Sequence, residues 1–310
     1  MERSSLNQVI RFFLRLVLIL FLILIIDRGI GMILSHYYFH QHHGGESKIT
    51  FTIDSTVADV VIFGSSRANH HYVPEIFENR LHYSCFNAGA DGNHLLYSYA
   101  LFKTIVKRYS PKLIIFDIRP YELGNIVPEY DRLSILLPYY QKYPEIRHVI
   151  ELRGPFEKFK HISYIYPYNS LIFQILRGNL GFSKSEGPEL KGYIPLNKTM
   201  KPEKKGTWDI CDIPIDKNKV NLVEDIISTC KKKNIDLIFV HSPIWVIMHK
   251  SYCHNILSDI CSENGVRYID MSNDSTFINK PAYFEDISHL NDKGARIFSE
   301  MLINKICKTD

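Results

Sequence analysis

The chain has 310 residues, 45% apolar and 23% charged, with a formal net charge of +4, values ordinary for a folded globular protein. That length supports one well-buried α/β domain with decoration, or two small domains, and its Lys and Arg are scattered without a dense basic face, which argues against a nucleic-acid partner. The six cysteines, Cys85, Cys211, Cys230, Cys253, Cys261 and Cys307, form no C-x-x-C pair and no metal-type grouping with histidine, so neither a metal nor a cofactor is expected. Their spacing does not choose among disulfide pairings, and Cys85 reads as a small core residue in a strand.

Arg3, Arg11 and Arg15 lead into an apolar run, Leu16 to Ile26, followed by Asp27-Arg28-Gly29 and Ile30 to Leu34. From Phe12 to Leu34 this approaches the ~20 residues that cross a bilayer. The basic residues precede the run, so the short N-terminus is expected in the cytoplasm and the remainder outside, periplasmic or extracellular. A cleaved signal peptide is the competing reading, but Ile33-Leu34-Ser35-His36-Tyr37-Tyr38 has no small-x-small cleavage site. Residues 1–35 are read as a cytoplasmic stub and single membrane anchor, with Asp27 either beside Arg28 at the outer interface or contacting a partner helix. Residues 36–57, with His40, His42, His43 and a Gly-Gly pair, are read as a solvated tether rather than a metal site.

From Asp59 the pattern alternates. Short apolar runs at 60–63, 83–86, 113–117, 237–240 and 266–269 read as buried strands. Between them lie amphipathic segments at 95–109, 220–233 and 244–263, and a final helix at 292–306 places Ala295, Phe298, Leu302 and Ile306 on one face. Strands alternating with helices predict a three-layer α/β domain over 58–310, built on a doubly wound five-stranded parallel sheet. Residues 125–207 interrupt this pattern and are expected to form an inserted lid or subdomain, helical at 133–140 and 170–180, looping over 178–205. Its tyrosines, Tyr130, Tyr139, Tyr140, Tyr143, Tyr164, Tyr166 and Tyr168, suit stacking on sugar rings or ordinary packing.

The first strand, Val60 to Phe63, breaks at Gly64-Ser65-Ser66 and so delivers a hydroxyl to the carboxyl edge of the sheet, where open α/β sheets place their ligands. A serine there needs a base and an orienting carboxylate, and Asp286-Ile-Ser-His289 supplies both just before the last helix. Asn87-Ala-Gly89-Ala-Asp-Gly92 follows the second strand. In this order the three blocks resemble the SGNH (GDSL-like) hydrolase superfamily over 59–117 and 237–306, which implies its flavodoxin-like fold. The resemblance implies Ser66, His289 and Asp286 as catalytic residues, with the backbone N–H groups of Ser66 and Gly92, or less readily Gly89, as oxyanion donors.

One block departs from the family. Its third, Gly-x-Asn-Asp, contributes an asparagine to the oxyanion hole, and here the stretch is Phe116-Asp-Ile-Arg119-Pro-Tyr121-Glu122. Arg119, Tyr121 or Asn125 are the candidate substitutes. In this the chain is similar to the membrane-anchored, extracytoplasmic branch containing DltD-like proteins, which work with acyl-transfer systems that modify cell-wall polymers or exported polysaccharides. The expectation is a serine acyl hydrolase or O-acyltransferase acting on an acylated glycan. The alternative is an accessory protein of a membrane acyl-transfer system, recruiting a multi-pass acyltransferase through its helix. Arg67, His70 and His241, near the same edge, are expected to border the substrate, although a helix-surface role suits Arg67, His70 and His71 equally.

Overall fold

The computed structural model describes residues 2–41, 44–182, 191–201, 207–208, 213–249 and 252–308. The chain divides into two compact units, Met1–His42 with Ser134–Ser183, and His43–Leu133 with Lys184–Asp310.

The second unit is built on a five-stranded parallel sheet. Its strands are β1 (Val60–Gly64), β2 (Cys85–Asn87), β3 (Leu113–Asp117), β4 (Asp236–His241) and β5 (Arg267–Asp270). They lie in the order β2-β1-β3-β4-β5, the doubly wound arrangement whose order reverses beside β1. The helices are numbered with the first unit's α1 (Glu2–Phe39): α2 (Gly45–Asp54), α3 (Ser66–His71), α4 (Pro74–Leu81), α5 (Leu95–Arg108), α6 (Lys217–Lys233), α7 (Tyr252–Glu263) and α8 (Asp292–Cys307).

Both sheet faces are covered, which is why the central strands are continuously apolar rather than alternating. On one face Val60, Ile62, Leu113, Ile115, Ile238 and Val240 share a core with Phe298, Leu302 and Ile306 of α8. Truncating a wholly buried side chain such as Phe298 to alanine typically costs about 3–5 kcal/mol. On the other face Phe63 stacks on Phe116 with ring centroids 4.9 Å apart, Phe116 meets Phe239 at 5.7 Å, and Phe102 of α5 closes over them. Gly64 ends β1 at φ +148°, where a Cβ would lie 2.6 Å from the Asp117 carbonyl oxygen. The turn into Ser66 therefore needs glycine on grounds of both space and conformation.

Two segments differ from the sequence reading. Within the stretch read as a tether, α1 runs to Phe39 and α2 forms over Gly45–Asp54, with Lys48, Ile49, Thr52 and Ile53 buried; His42 and His43 lie outside the described residues. The helix expected over 244–263 is described only from Tyr252. Ahead of it, Ile247–Met248 pairs in parallel with Thr207–Trp208. The Trp245 N–H donates to the Ile287 carbonyl at 3.1 Å and its carbonyl accepts from the Asn279 N–H at 2.9 Å. Backbone groups committed to two neighbouring loops cannot serve a helical ladder. Cys85, Cys230 and Cys261 are buried thiols, and burial raises Cys230 and Cys261 to about 12; Cys211 lies outside the described residues.

In the first unit, α1 is exposed on every side from Leu6 to Ile26 and becomes partly covered from Asp27 onward. Asp27 accepts from the Ser163 hydroxyl at 2.5 Å and from the Tyr164 N–H at 2.8 Å. Arg28 donates to the Ile162 carbonyl at 2.9 Å and lies over the Tyr164 ring. The carboxylate read as a possible partner-helix contact is thus engaged by a turn of its own chain. Three of the tyrosines here pack, Tyr139, Tyr140 and Tyr168 being buried and Tyr140 stacking on His161 with centroids 3.6 Å apart, while Tyr164 is exposed. Segment 133–139 is a 3-10 helix containing Pro138, which lacks the N–H an α-helix would use.

Candidate active site

Strand β1 ends, the chain turns at Gly64, and α3 begins at Ser66. The loop before α8 returns to the same edge because Asn291 caps that helix, its side chain accepting from the Gly294 N–H at 3.0 Å. Residues 223 apart in sequence then meet: His289 Nε2 lies 2.7 Å from Ser66 Oγ. On the far side of the ring, Nδ1 is 2.9 and 3.0 Å from the two Asp286 carboxylate oxygens. Asp286 Oδ1 also accepts the backbone N–H groups of Ser288 and His289, at 2.8 and 3.0 Å. Burial tends to raise this carboxyl, but the His289 bond and those N–H groups outweigh it and hold it below the usual carboxylate range. Serine, imidazole and carboxylate stand in one hydrogen-bonded line, with Ser66 half-buried and Asp286 exposed. Such a line can take the hydroxyl proton as the oxygen attacks a carbonyl.

Two histidines after the serine, which the sequence left between ligand contact and helix surface, are buried supports. His71 Nε2 accepts the Leu290 N–H at 3.0 Å, and its Nδ1 faces Ser242 Oγ at 3.2 Å. Burial, then the Arg67 and His289 charges, push His71 well below its ordinary value, so it is a neutral imidazole. His70 bonds the Ile194 carbonyl at 2.7 Å and Asp91 at 3.0 Å. Burial opposes its protonation, yet Asp91 raises it on balance. Asp91 itself, despite partial burial, is lowered to about 2 by His70 and Asn69.

The loop after β2 is held from beneath. Asn87 Nδ2 donates to the Ala68 and Tyr72 carbonyls at 2.7 and 3.0 Å, and its Oδ1 accepts the Gly89 N–H at 2.9 Å. The Gly89 N–H is therefore already bonded and is not free for an oxyanion. Gly89 instead permits close approach, since a Cβ there would lie 2.4 Å from the Asn69 nitrogen. Gly92 turns the loop at φ +69°, and its carbonyl accepts from Arg132. Lys48, missed in the sequence, donates from Nζ to Asn69 Oδ1, the Gly89 carbonyl and the Gly192 carbonyl at 2.7, 2.5 and 2.7 Å.

The other expected residues lie deeper. Arg67 is 1% exposed and donates to the Ser242 carbonyl at 3.1 Å, with Asp117 3.7 Å from its other nitrogen. Burial raises the Asp117 carboxyl in spite of that guanidinium. Arg119 Nε is 2.8 Å from Glu122 and its Nη2 is 2.6 Å from His94 Nδ1. Burial would raise Glu122, but Arg119 and His94 pull it well below the carboxylate range. Arg67, Arg119, Tyr121 and Ser288 line one small cavity with Ile244 and Met248, so Arg119 and Tyr121 sit beside the His289 loop although much of Arg119 is committed elsewhere. Asn125 donates its backbone N–H to the Pro214 carbonyl at 2.8 Å. His241, expected to border the substrate, is 0% exposed.

No family model matches the sequence, and no curated protein matches it. Among solved structures, the chain is similar to a candidate acylhydrolase from Bacteroides fragilis at 14% identity, covering 81% of this chain and 86% of that one, with a TM-score of 0.39.

Proposed function

We propose that the chain is a serine-dependent acyl hydrolase or O-acyltransferase, and the observation that carries this reading is the Ser66–His289–Asp286 line, 2.7 and 2.9 Å between successive partners. Ser66 Oγ attacks the acyl carbonyl carbon while His289 Nε2 takes its proton. The imidazolium then protonates the departing alcohol, and the acyl group remains on Ser66 as an ester. Water or a second hydroxyl, deprotonated by His289, attacks that ester and releases Ser66. Asp286 holds the Nδ1–H tautomer and steadies the charged ring. The backbone N–H groups of Ser66 and Gly92 hold the oxyanion, and losing one such donor typically costs on the order of 100-fold or more.

An acylated cell-surface or exported glycan is the proposed substrate, on the family resemblance and the reading of α1 as a single cytoplasmic-membrane anchor with the second unit outside. From Leu6 to Ile26 the helix is apolar and exposed, and at 1.5 Å per residue this is about 30 Å, a bilayer's hydrocarbon thickness. The same unit exposes Phe156, Phe159, Ile162, Phe173, Leu176 and Leu180, and Lys158, Lys160 and Arg177 lie among them. An apolar surface of this kind beside a spanning helix fits seating in the headgroup region.

Fluorophosphonate labelling of the full chain in detergent tests the enzyme. Labelling lost in Ser66→Ala and His289→Ala but kept in Ser65→Ala supports an activated nucleophile. An unlabelled, folded wild type would instead support the accessory reading, favoured by the prior commitments of Arg119, and would direct attention to a membrane acyltransferase partner.

A further inference from the structure

Away from the Ser66 line, strands β4 and β5 end side by side, and their register pairs His241 with Asp270. His254, in the first turn of α7, reaches the same point. His241 Nδ1 lies 3.5 Å from Asp270 Oδ1, and His254 Nε2 lies 3.4 Å from Asp270 Oδ2. One donor atom from each of the three residues falls within 4.8 Å of the other two.

These separations exceed good hydrogen bonds, which cluster near 2.9 Å. They match the edge of a tetrahedron whose metal bonds are about 2.0–2.1 Å, an edge of roughly 3.3–3.4 Å. A second observation points the same way: His241 is wholly buried, and among the described residues neither of its ring nitrogens has a hydrogen-bonding partner. Leaving a buried polar group unsatisfied is costly, and a cation would give this imidazole its missing partner. The carboxylate is oriented from behind, Asp270 Oδ1 accepting the Ser272 N–H at 3.0 Å and its hydroxyl at 2.7 Å, the outer support that metal-binding carboxylates commonly have. Asp270 keeps 23% of its side chain exposed, which leaves an entry path.

We propose that His241, His254 and Asp270 bind one divalent transition-metal ion, Zn2+ by the character of two imidazoles and a carboxylate, with water in the fourth position. The ion clips the ends of β4 and β5 to α7. Its nearest consequence is at Ser242, whose hydroxyl faces His71 and whose carbonyl holds Arg67. The Arg67 and Arg119 guanidinium charges felt at His241 limit the affinity for a cation. The proposal does not depend on Ser66 being a nucleophile.

The test is metal content of the full chain in detergent, stripped with chelator, dialysed against Zn2+ and then against buffer. One equivalent per chain is expected, falling at least tenfold in His254→Gln and in Asp270→Asn, with Zn2+ raising the melting temperature of wild type alone. Co2+ in place of Zn2+ should give the visible absorption of a four-coordinate site. A folded wild type that retains less than a tenth of an equivalent overturns the proposal, as does equal retention by wild type and both variants, which would place the metal elsewhere.

Discussion

The imidazole of His71 accepts the backbone N–H of Leu290 at 3.0 Å, so the helix that starts with Ser66 holds the loop that presents His289. Both ends of the 2.7 Å Ser66–His289 contact are thereby fixed to one buried ring. His71→Leu keeps bulk but removes the acceptor. It is expected to slow fluorophosphonate labelling about 10- to 100-fold, in keeping with the sensitivity of such sites to small misplacements. Unchanged labelling by the folded variant would show that the loop is positioned without this bond.

The same residue predicts an acid-side loss of stability. Folded His71 stays neutral well below its ordinary value of 6.5, whereas the unfolded chain takes up a proton there. The unfolded state binds more protons, so this contribution weakens as pH falls below about 6.5, by about 1.4 kcal/mol one unit lower. His70 works oppositely, because its raised value gives stability that is complete below 6.5 and lost as pH rises through the folded value. Urea midpoints between pH 7 and 5 should fall more steeply for wild type than for His71→Asn; parallel slopes would mean that His71 charges in the folded state.

Lys48 carries a buried ammonium on three oxygens. Lys48→Met fills the space and leaves those neutral acceptors without the ammonium, a change expected to destabilise the second unit by about 1–3 kcal/mol for each acceptor left unsatisfied. Because the Gly89 carbonyl is one of them, labelling of Ser66 should fall as well. Urea denaturation measures the first effect and probe kinetics the second; wild-type values for both would show that water replaces the ammonium.

Seating of the first unit on lipid is checked in nanodiscs containing bromolipids. Phe173→Trp and Phe159→Trp should add emission that brominated chains quench at least twofold, after subtraction of the native tryptophans. Leu16→Trp reports the anchor separately. Quenching at residue 16 without quenching at 159 and 173 would retain the spanning helix and remove the surface contact.

Five apolar runs, a glycine-serine turn and Asp286-x-x-His289 were legible in the sequence because each is a local pattern: burial on both faces makes a strand continuously apolar, and a three-residue spacing brings carboxylate and imidazole together in one loop. The parallel, doubly wound character of the sheet followed from the alternation of these strands with helices, whereas the order of its strands is seen only in the folded chain. What the sequence hid depends on partners remote in the chain. The short helix around Lys48 reads as a polar tether until Asn69, Gly89 and Gly192 are seen around its ammonium. Trp245 lies in a helix-compatible run, but loops at 279 and 287 take its backbone bonds. His71, and the trio His241, His254 and Asp270, have no informative spacing. Hydrophobic periodicity records which side of an element is buried, while hydrogen-bond and ligand partners are chosen by the crossover connections, and only the folded chain brings those atoms within 3–4 Å of one another.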